Sequence, residues 1–319
     1  MLKTPQVNPV TMVSSLYNLD SLTLAKTSLS SQQLEILCSA WTRSTPSLKH
    51  LDLSNNDLSS VPVKYLADIA LQMESLNVRH VKLTADQAND LCTAVGHSRK
   101  LNSFDLSHNN LSHVNWLVIQ RLVAKVENAV LDLTELTHTL TWRLFQGPSS
   151  RIKSLSIAGV DLSAVEADHF GKMIAQLEEA NLEGTKLTPE QTVAIFTSLD
   201  GPSSSLHTLN IGANRLSRVA PDLMARVVNK MKVVNLDMTV STVPTGQIIY
   251  PNWPLQSIPP IIERLSFEQM EAILTKSLEG TLLTYLRIGP VSNEERLKQV
   301  IDKAANAIRD LIIVKESKW

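Results

Sequence analysis

The stretch Leu48–Val61, LKHLDLSNNDLSSV, recurs along the chain. It returns as LNSFDLSHNNLSHV from Leu101 to Val114 and as LHTLNIGANRLSRV from Leu206 to Val219. Weaker copies are IKSLSIAGVDLSAV from Ile152 and MESLNVRHVKLTAD from Met73. The shared frame is L-x-x-L-x-L-x-x-N-x-L. The first residue of each L-x-L serves as a marker: Leu22, Leu51, Leu76, Phe104, Leu131, Leu155, Ala180, Leu209, Val234 and Leu286. Successive markers lie 24 to 29 residues apart except the last pair, which lie 52 apart. The L-x-L core has period two, so its leucines face one side of a short strand. The rest of each unit follows helical spacing and packs behind the strand. No unit buries its own leucines, so neighbours must stack. The frame asparagines Asn56, Asn109 and Asn214 suit a ladder of side-chain amides bonding turn backbone inside the stack.

The units alternate in type. Even units continue as L-S-x-V, at Leu58–Val61, Leu111–Val114, Leu162–Val165 and Leu216–Val219. Odd units continue as L-[S/T]-x-x-Q, with Ser30/Gln33, Thr84/Gln87, Thr188/Gln191 and Ser266/Gln269. That spacing predicts a capping box at a helix start. The fifth odd unit departs from it, with His138-Thr139-Leu140-Thr141-Trp142. Odd units carry Thr27, Val81, Leu136, Thr185 and Thr239 where even units carry Asn, with Val160 in one even unit.

On these residues the chain resembles the leucine-rich repeats of the ribonuclease-inhibitor-like class, which includes the repeat domains of NOD-like receptors. The resemblance implies an α/β solenoid, a horseshoe with a parallel sheet on the concave face and helices on the convex face. It runs over residues 16–292, about ten repeats in a single domain spanning 1–319. It also implies a non-catalytic protein–protein interaction scaffold or sensor. Two alternatives are a ribonuclease-inhibitor-type enzyme inhibitor and an actin or small-GTPase regulator. The ribonuclease inhibitors are cysteine-rich and markedly acidic, whereas this chain has two Cys and a net charge of −1. Related GTPase-activating proteins act through an exposed Arg, but no motif around Arg79 matches theirs.

The 52-residue step marks an insertion at 237–264 in the ninth repeat. It contains Pro244, Pro251, Pro254, Pro259 and Pro260, so neither a helix interior nor a central strand fits it. Two readings stand: local cover for the solenoid, or a binding loop anchored by Tyr250 and Trp253. From Ser292 onward, Leu297, Val300, Ile301, Ala304, Ile308, Leu311 and Ile312 keep helical spacing, which predicts a capping helix over 293–316. The segment ahead of Leu16 is thin for a cap, so the first repeat is expected to be covered by preceding chain or by a partner. Cys38 and Cys92 occupy the same helix position two units apart, too far for a disulfide, and read as core thiols.

Residues between and just after the strand leucines are expected to face outward. The first series includes Asp52, Asn77, Asp105, Asp132, Asn210 and Asn235; the second includes Arg79, Glu183 and Asp237. Together they form a polar, mildly acidic ribbon that would steer a basic partner. A solvated sheet face has the same composition, and that reading stands beside it.

Lys+Arg at 30 balance Asp+Glu at 31, which argues against general nucleic-acid binding. No run of apolar residues is long enough to span a membrane. The expected partner is a protein, with no nucleic acid, membrane, small-molecule substrate or cofactor, and the default compartment is cytoplasmic. No phosphate-loop, nucleophile-elbow, zinc-protease or calcium-loop motif occurs, and the eight His are scattered. The chain therefore reads as a non-enzyme.

Overall fold

The computed structural model describes residues 19–27, 47–136, 151–237, 265–291 and 294–315, with part of 32–39. The chain divides into two compact units, Met1–Ile152 and Lys153–Trp319. Unit 1 contains β1 (Ser21–Thr23), β2 (His50–Asp52), α1 (Val63–Gln72), β3 (Ser75–Asn77), α2 (Ala85–His97), β4 (Ser103–Asp105), α3 (Trp116–Lys125) and β5 (Asn128–Val130). Unit 2 contains β6 (Ser154–Ser156), α4 (Ala167–Gln176), β7 (Glu179–Asn181), α5 (Pro189–Asp200), β8 (Thr208–Asn210), α6 (Pro221–Lys230) and β9 (Val233–Asp237). After it come α7 (Phe267–Ser277), β10 (Tyr285–Val291), α8 (Glu294–Ala307) and β11 (Asp310–Lys315).

Within each unit the strands pair in chain order and in parallel. Leu22, Leu51, Leu76, Phe104 and Ala129 stand opposite one another in unit 1. Leu155, Ala180, Leu209, Val234, Leu286 and Leu311 do so in unit 2. From Leu51 to Leu286 this row and the residues two further on, such as Leu53, Leu106, Leu182 and Ile211, are buried. Each fully buried leucine contributes about 1.5–3 kcal/mol relative to exposure. Helix residues Ile69, Leu91, Leu122, Ile174, Ile195 and Val228 complete the core. β9 and β10 pair directly. Residues 238–264, with Tyr250 and Trp253, are outside the described residues.

Two expectations need correction. The fifth marker is Ala129, not Leu131, because Ala129 pairs with Phe104. An alanine in a leucine row is weak in sequence, and Leu131 two residues on has the same parity. Asp132 therefore belongs in the row of Ser54, Arg79 and Ser107, and Val130 takes the outward place. Thr134, not Leu136, then aligns with Thr27 and Thr185. The C-terminal helix also stops at Ala307 rather than continuing to 316. The chain from Asp310 forms β11, with Leu311 opposite Leu286 and Ile313 opposite Ile288. Leu311-Ile312-Ile313-Val314 is an apolar run that periodicity alone does not assign, and its β-branched residues favour a strand.

Polar side chains close the turns of both units in the same way. The Nδ2 of Asn109 donates to the carbonyls of Val78, Leu106 and Ser107, and that of Asn214 to those of Leu182, Ile211 and Gly212. Asn56 does the same with Leu24, Leu53 and Ser54. In odd units the hydroxyls of Thr27, Thr134 and Thr185 donate three residues back, to Leu24, Leu131 and Leu182. Capping boxes start α2, α5 and α7 at Thr84, Thr188 and Ser266. Their glutamines also reach into the preceding unit. Gln87 Nε2 donates to Leu58 and Val61, Gln191 to Leu162 and Val165, and Gln269 to Leu216 and Val219. The odd unit's glutamine thus satisfies the carbonyls that flank the even unit's L-S-x-V turn. That explains why the two types alternate.

Candidate interaction surface

The outward residues of the strands have local bonding duties. Asp52, Asn77 and Asp105 each accept, through Oδ1, the N–H two residues on, from Ser54, Arg79 and Ser107. Asn181 and Asn210 do the same for Glu183 and Gly212. This turn needs one acceptor oxygen, which Asp and Asn both supply. It accounts for their recurrence at this position without any ligand.

Several ribbon residues are also well covered. Arg79 is 7% exposed, Asp132 4% and Glu183 9%, and Asn210 and Asn235 are buried. Asp52, Asn77 and Asp105 are half-buried. Asp237 ends β9 opposite Gly289. In unit 2, Asn210 Nδ2 donates to Glu183 Oε2 at 2.9 Å, and Asn181 Nδ2 to Ser156 Oγ at 2.9 Å. Four residues after each of the first eight markers the backbone is left-handed: Lys26, Asn55, His80, His108 and Leu133 in unit 1, and Gly159, Gly184 and Ala213 in unit 2.

This left-handed row brings two histidines against the charged part of unit 1. Arg79 Nη2 lies 2.9 Å from His108 Nε2, and the His80 and His108 rings are 6.2 Å apart. A guanidinium only donates, so His108 Nε2 must accept and its proton sits on Nδ1. Desolvation, then the charges of Arg79 and His80, hold the His108 pKa down to about 4. Desolvation raises the Asp105 carboxyl despite its bonds from Ser107 and the nearby Arg79. Desolvation also lowers Arg79, against the pull of Asp105 and Asp132. The structure thus gathers Asp52, Asn77, Arg79, Asp105 and Asp132 on one face of unit 1. Glu183, Asn210 and Asn235 lie on the strand face of unit 2. His80 and His108 read in sequence as scattered solvated histidines. Their recurrence one residue after Arg79 and Ser107 is the signal that would have placed them. Cys92 is fully buried on α2, where burial pushes its thiol up to about 12; Cys38 lies outside the described residues.

Among the described residues no helix is long and apolar enough to cross a membrane. The leucine-rich-repeat family profile matches residues 47–68. Ribonuclease inhibitor from Sus scrofa is 28% identical over 199 residues, covering 60% of this chain and 39% of that protein. Ribonuclease inhibitor from Mus musculus is 26% identical over 235 residues, covering 72% of this chain and 46% of that protein. The chain spans less than half the length of either. Among solved structures, the yeast Rad7–Elc1 complex matches with TM-score 0.54 at 15% identity, over 72% of this chain and 59% of that one. The leucine-rich repeat-containing protein LegL7 from Legionella pneumophila matches with TM-score 0.52 at 17% identity, over 95% and 96%. These two likenesses concern the fold alone. Repeat frame, parallel strand order and curated relatives agree, and together they support a leucine-rich-repeat protein of the ribonuclease-inhibitor-like class.

Proposed function

We propose that this protein is a non-catalytic interaction scaffold that binds a protein partner across the outward strand face of unit 1. The repeat fold supports a scaffold role in general. The observation that carries the choice of surface is the concentration of charge around Arg79. Asp52, Asp105 and Asp132 outnumber this one guanidinium, and His80 and His108 stand at the edge. The excess of carboxylates favours a basic protein segment. The test is capture of partners by the wild type and by Asp52→Asn/Asp105→Asn. Asparagine keeps the oxygen that Ser54 and Ser107 N–H bond, so the fold is preserved while two charges go. Loss of capture at unchanged melting temperature supports the reading. Undiminished capture removes it.

The curated relatives favour a second reading, inhibition of a basic ribonuclease. It predicts that the purified chain slows RNA hydrolysis by such an enzyme at a stoichiometric ratio. No inhibition with the enzyme at micromolar concentration would rule it out. The insertion, with Tyr250 and Trp253, remains a candidate second contact, tested by shortening 238–264 to five residues and repeating the capture.

A further inference from the structure

An internal comparison exposes a site on the helices of unit 1, away from the strand face. The pair α2–α3 occupies the same places in the repeat as α5–α6 of unit 2. Thr84 and Gln87 correspond to Thr188 and Gln191, and Cys92 to Phe196. On this alignment Arg121 corresponds to Arg226, Lys125 to Lys230, and Gly96 to Asp200.

In unit 2 these three residues form one assembly. Asp200 Oδ2 accepts from Arg226 Nε at 3.1 Å and Nη2 at 2.9 Å, and Asp200 Oδ1 accepts from Lys230 Nζ at 2.7 Å. The two cations hold the Asp200 carboxyl below the usual carboxylate range. One turn of helix sets Arg and Lys at i and i+4, so both reach one carboxylate.

Unit 1 keeps the cations and lacks the acid. Arg121 and Lys125 are exposed, and neither forms an ion pair among the described residues. Gly96 stands where Asp200 stands, and a Cβ there would meet Arg121 Cβ at 3.4 Å, an ordinary contact. Glu127, two residues past Lys125, is held by Arg151 at 3.1 Å. The stretch 137–150 contains no Asp or Glu. Exposed Arg99 and Lys100, just after α2, add positive charge at the same end.

We propose that Arg121 and Lys125 form a carboxylate-binding site, filled by an Asp or Glu side chain from an acidic segment of a partner protein. The geometry is the one Asp200 displays: two guanidinium donors on one oxygen and the ammonium on the other. Such charge-assisted, partly bidentate contacts are the stronger kind of hydrogen bond. The site does not depend on the strand-face reading, and either can fail without the other.

The test uses the full chain and a labelled hexaglutamate peptide, followed by fluorescence anisotropy at low salt, with inorganic phosphate as a competitor. The wild type is expected to bind the peptide, and Arg121→Gln/Lys125→Gln to bind it about tenfold more weakly or worse. Gly96→Asp should lose the peptide to a similar degree and melt no lower than wild type, because its own carboxylate fills the pair. Asp200→Gly should gain a second peptide equivalent. Equal affinity in wild type and the double Gln variant overturns the proposal, as does wild-type affinity in a folded Gly96→Asp. Binding of phosphate without the peptide overturns the assignment to carboxylate.

Discussion

The segment β3 to α3 in unit 1 and its counterpart β7 to α6 in unit 2 are the same object inside and different objects outside. Inside, Asn109 and Asn214 each donate to three equivalent carbonyls, and Gln87 and Gln191 each bridge two carbonyls of the preceding unit. On the strand face, Arg79, His80, Asp105, Ser107 and His108 of unit 1 correspond to Glu183, Gly184, Asn210, Gly212 and Ala213 of unit 2. Gly96 and Asp200 differ likewise on the helices. Buried polar groups have no substitute partner if one is removed, so the interior cannot drift. Outward positions need only the one acceptor of the turn and tolerate any charge beyond it. Differences between repeats therefore point to surfaces with a use, and identities point to folding.

The largest effect that bears on this comparison is loss of a turn asparagine. Asn109→Ala and Asn214→Ala each leave buried carbonyls without donors, at a cost on the order of 3 kcal/mol. Denaturant melts of the two variants should show equal losses. A large loss in one and none in the other would break the claimed equivalence of the interiors.

A smaller effect separates two helix glycines. A Cβ at Gly171 in α4 would lie 2.6 Å from the Ala194 carbonyl oxygen of α5. The obstacle is backbone, so Gly171→Ala should destabilise by about 1–3 kcal/mol. Gly96→Ala meets only ordinary contact and should be neutral or stabilising by up to about 1 kcal/mol, since Ala suits a helix better. Thermal melting of both variants decides it, and equal losses would show that Gly96 also serves close packing.

The smallest expected effect is a pH dependence confined to unit 1. The His108 pKa falls from its ordinary 6.5 to about 4 in the folded chain. Between those values the unfolded chain binds a proton that the folded chain does not. Stability therefore falls as pH is lowered from 6.5 towards 4. His108→Gln keeps an acceptor for Arg79 and should flatten that part of the stability profile. Arg79→Gln should raise the His108 pKa, read from the ring C–H resonances. An unchanged His108 titration in Arg79→Gln would mean that the 2.9 Å contact is not what holds the ring neutral.

The repeat was legible because it rests on side-chain type at fixed spacing. Leucine parity, the Asn ladder and the Ser/Thr–Gln capping box each have a local physical reason, and the structure contains all three. Ala129 carries too little apolar weight to identify in sequence a register that Phe104 sets by pairing. Periodicity alone reads β11 as helix because its apolar run satisfies two periods, and pairing with β10 decides between them. The ribbon residues Asp52, Asn77 and Asp105 were located, but their turn-closing duty was not. A hydrogen bond to an N–H two residues on depends on the left-handed bend that follows it. Arg79 with His108, 29 residues apart in sequence, was not legible at all.

The sequence by itself determined the repeat, its alternation and the positions of the buried rows, because those depend on residues acting within their own unit. Only the tertiary structure decided which strand register unit 1 adopts and which charges meet. Stacking brings residues about 25 to 29 apart within reach of one another, and that pairing is made by neighbouring units rather than by either alone. The same stacking made Gly96 informative, because its meaning lies in the Arg121 beside it.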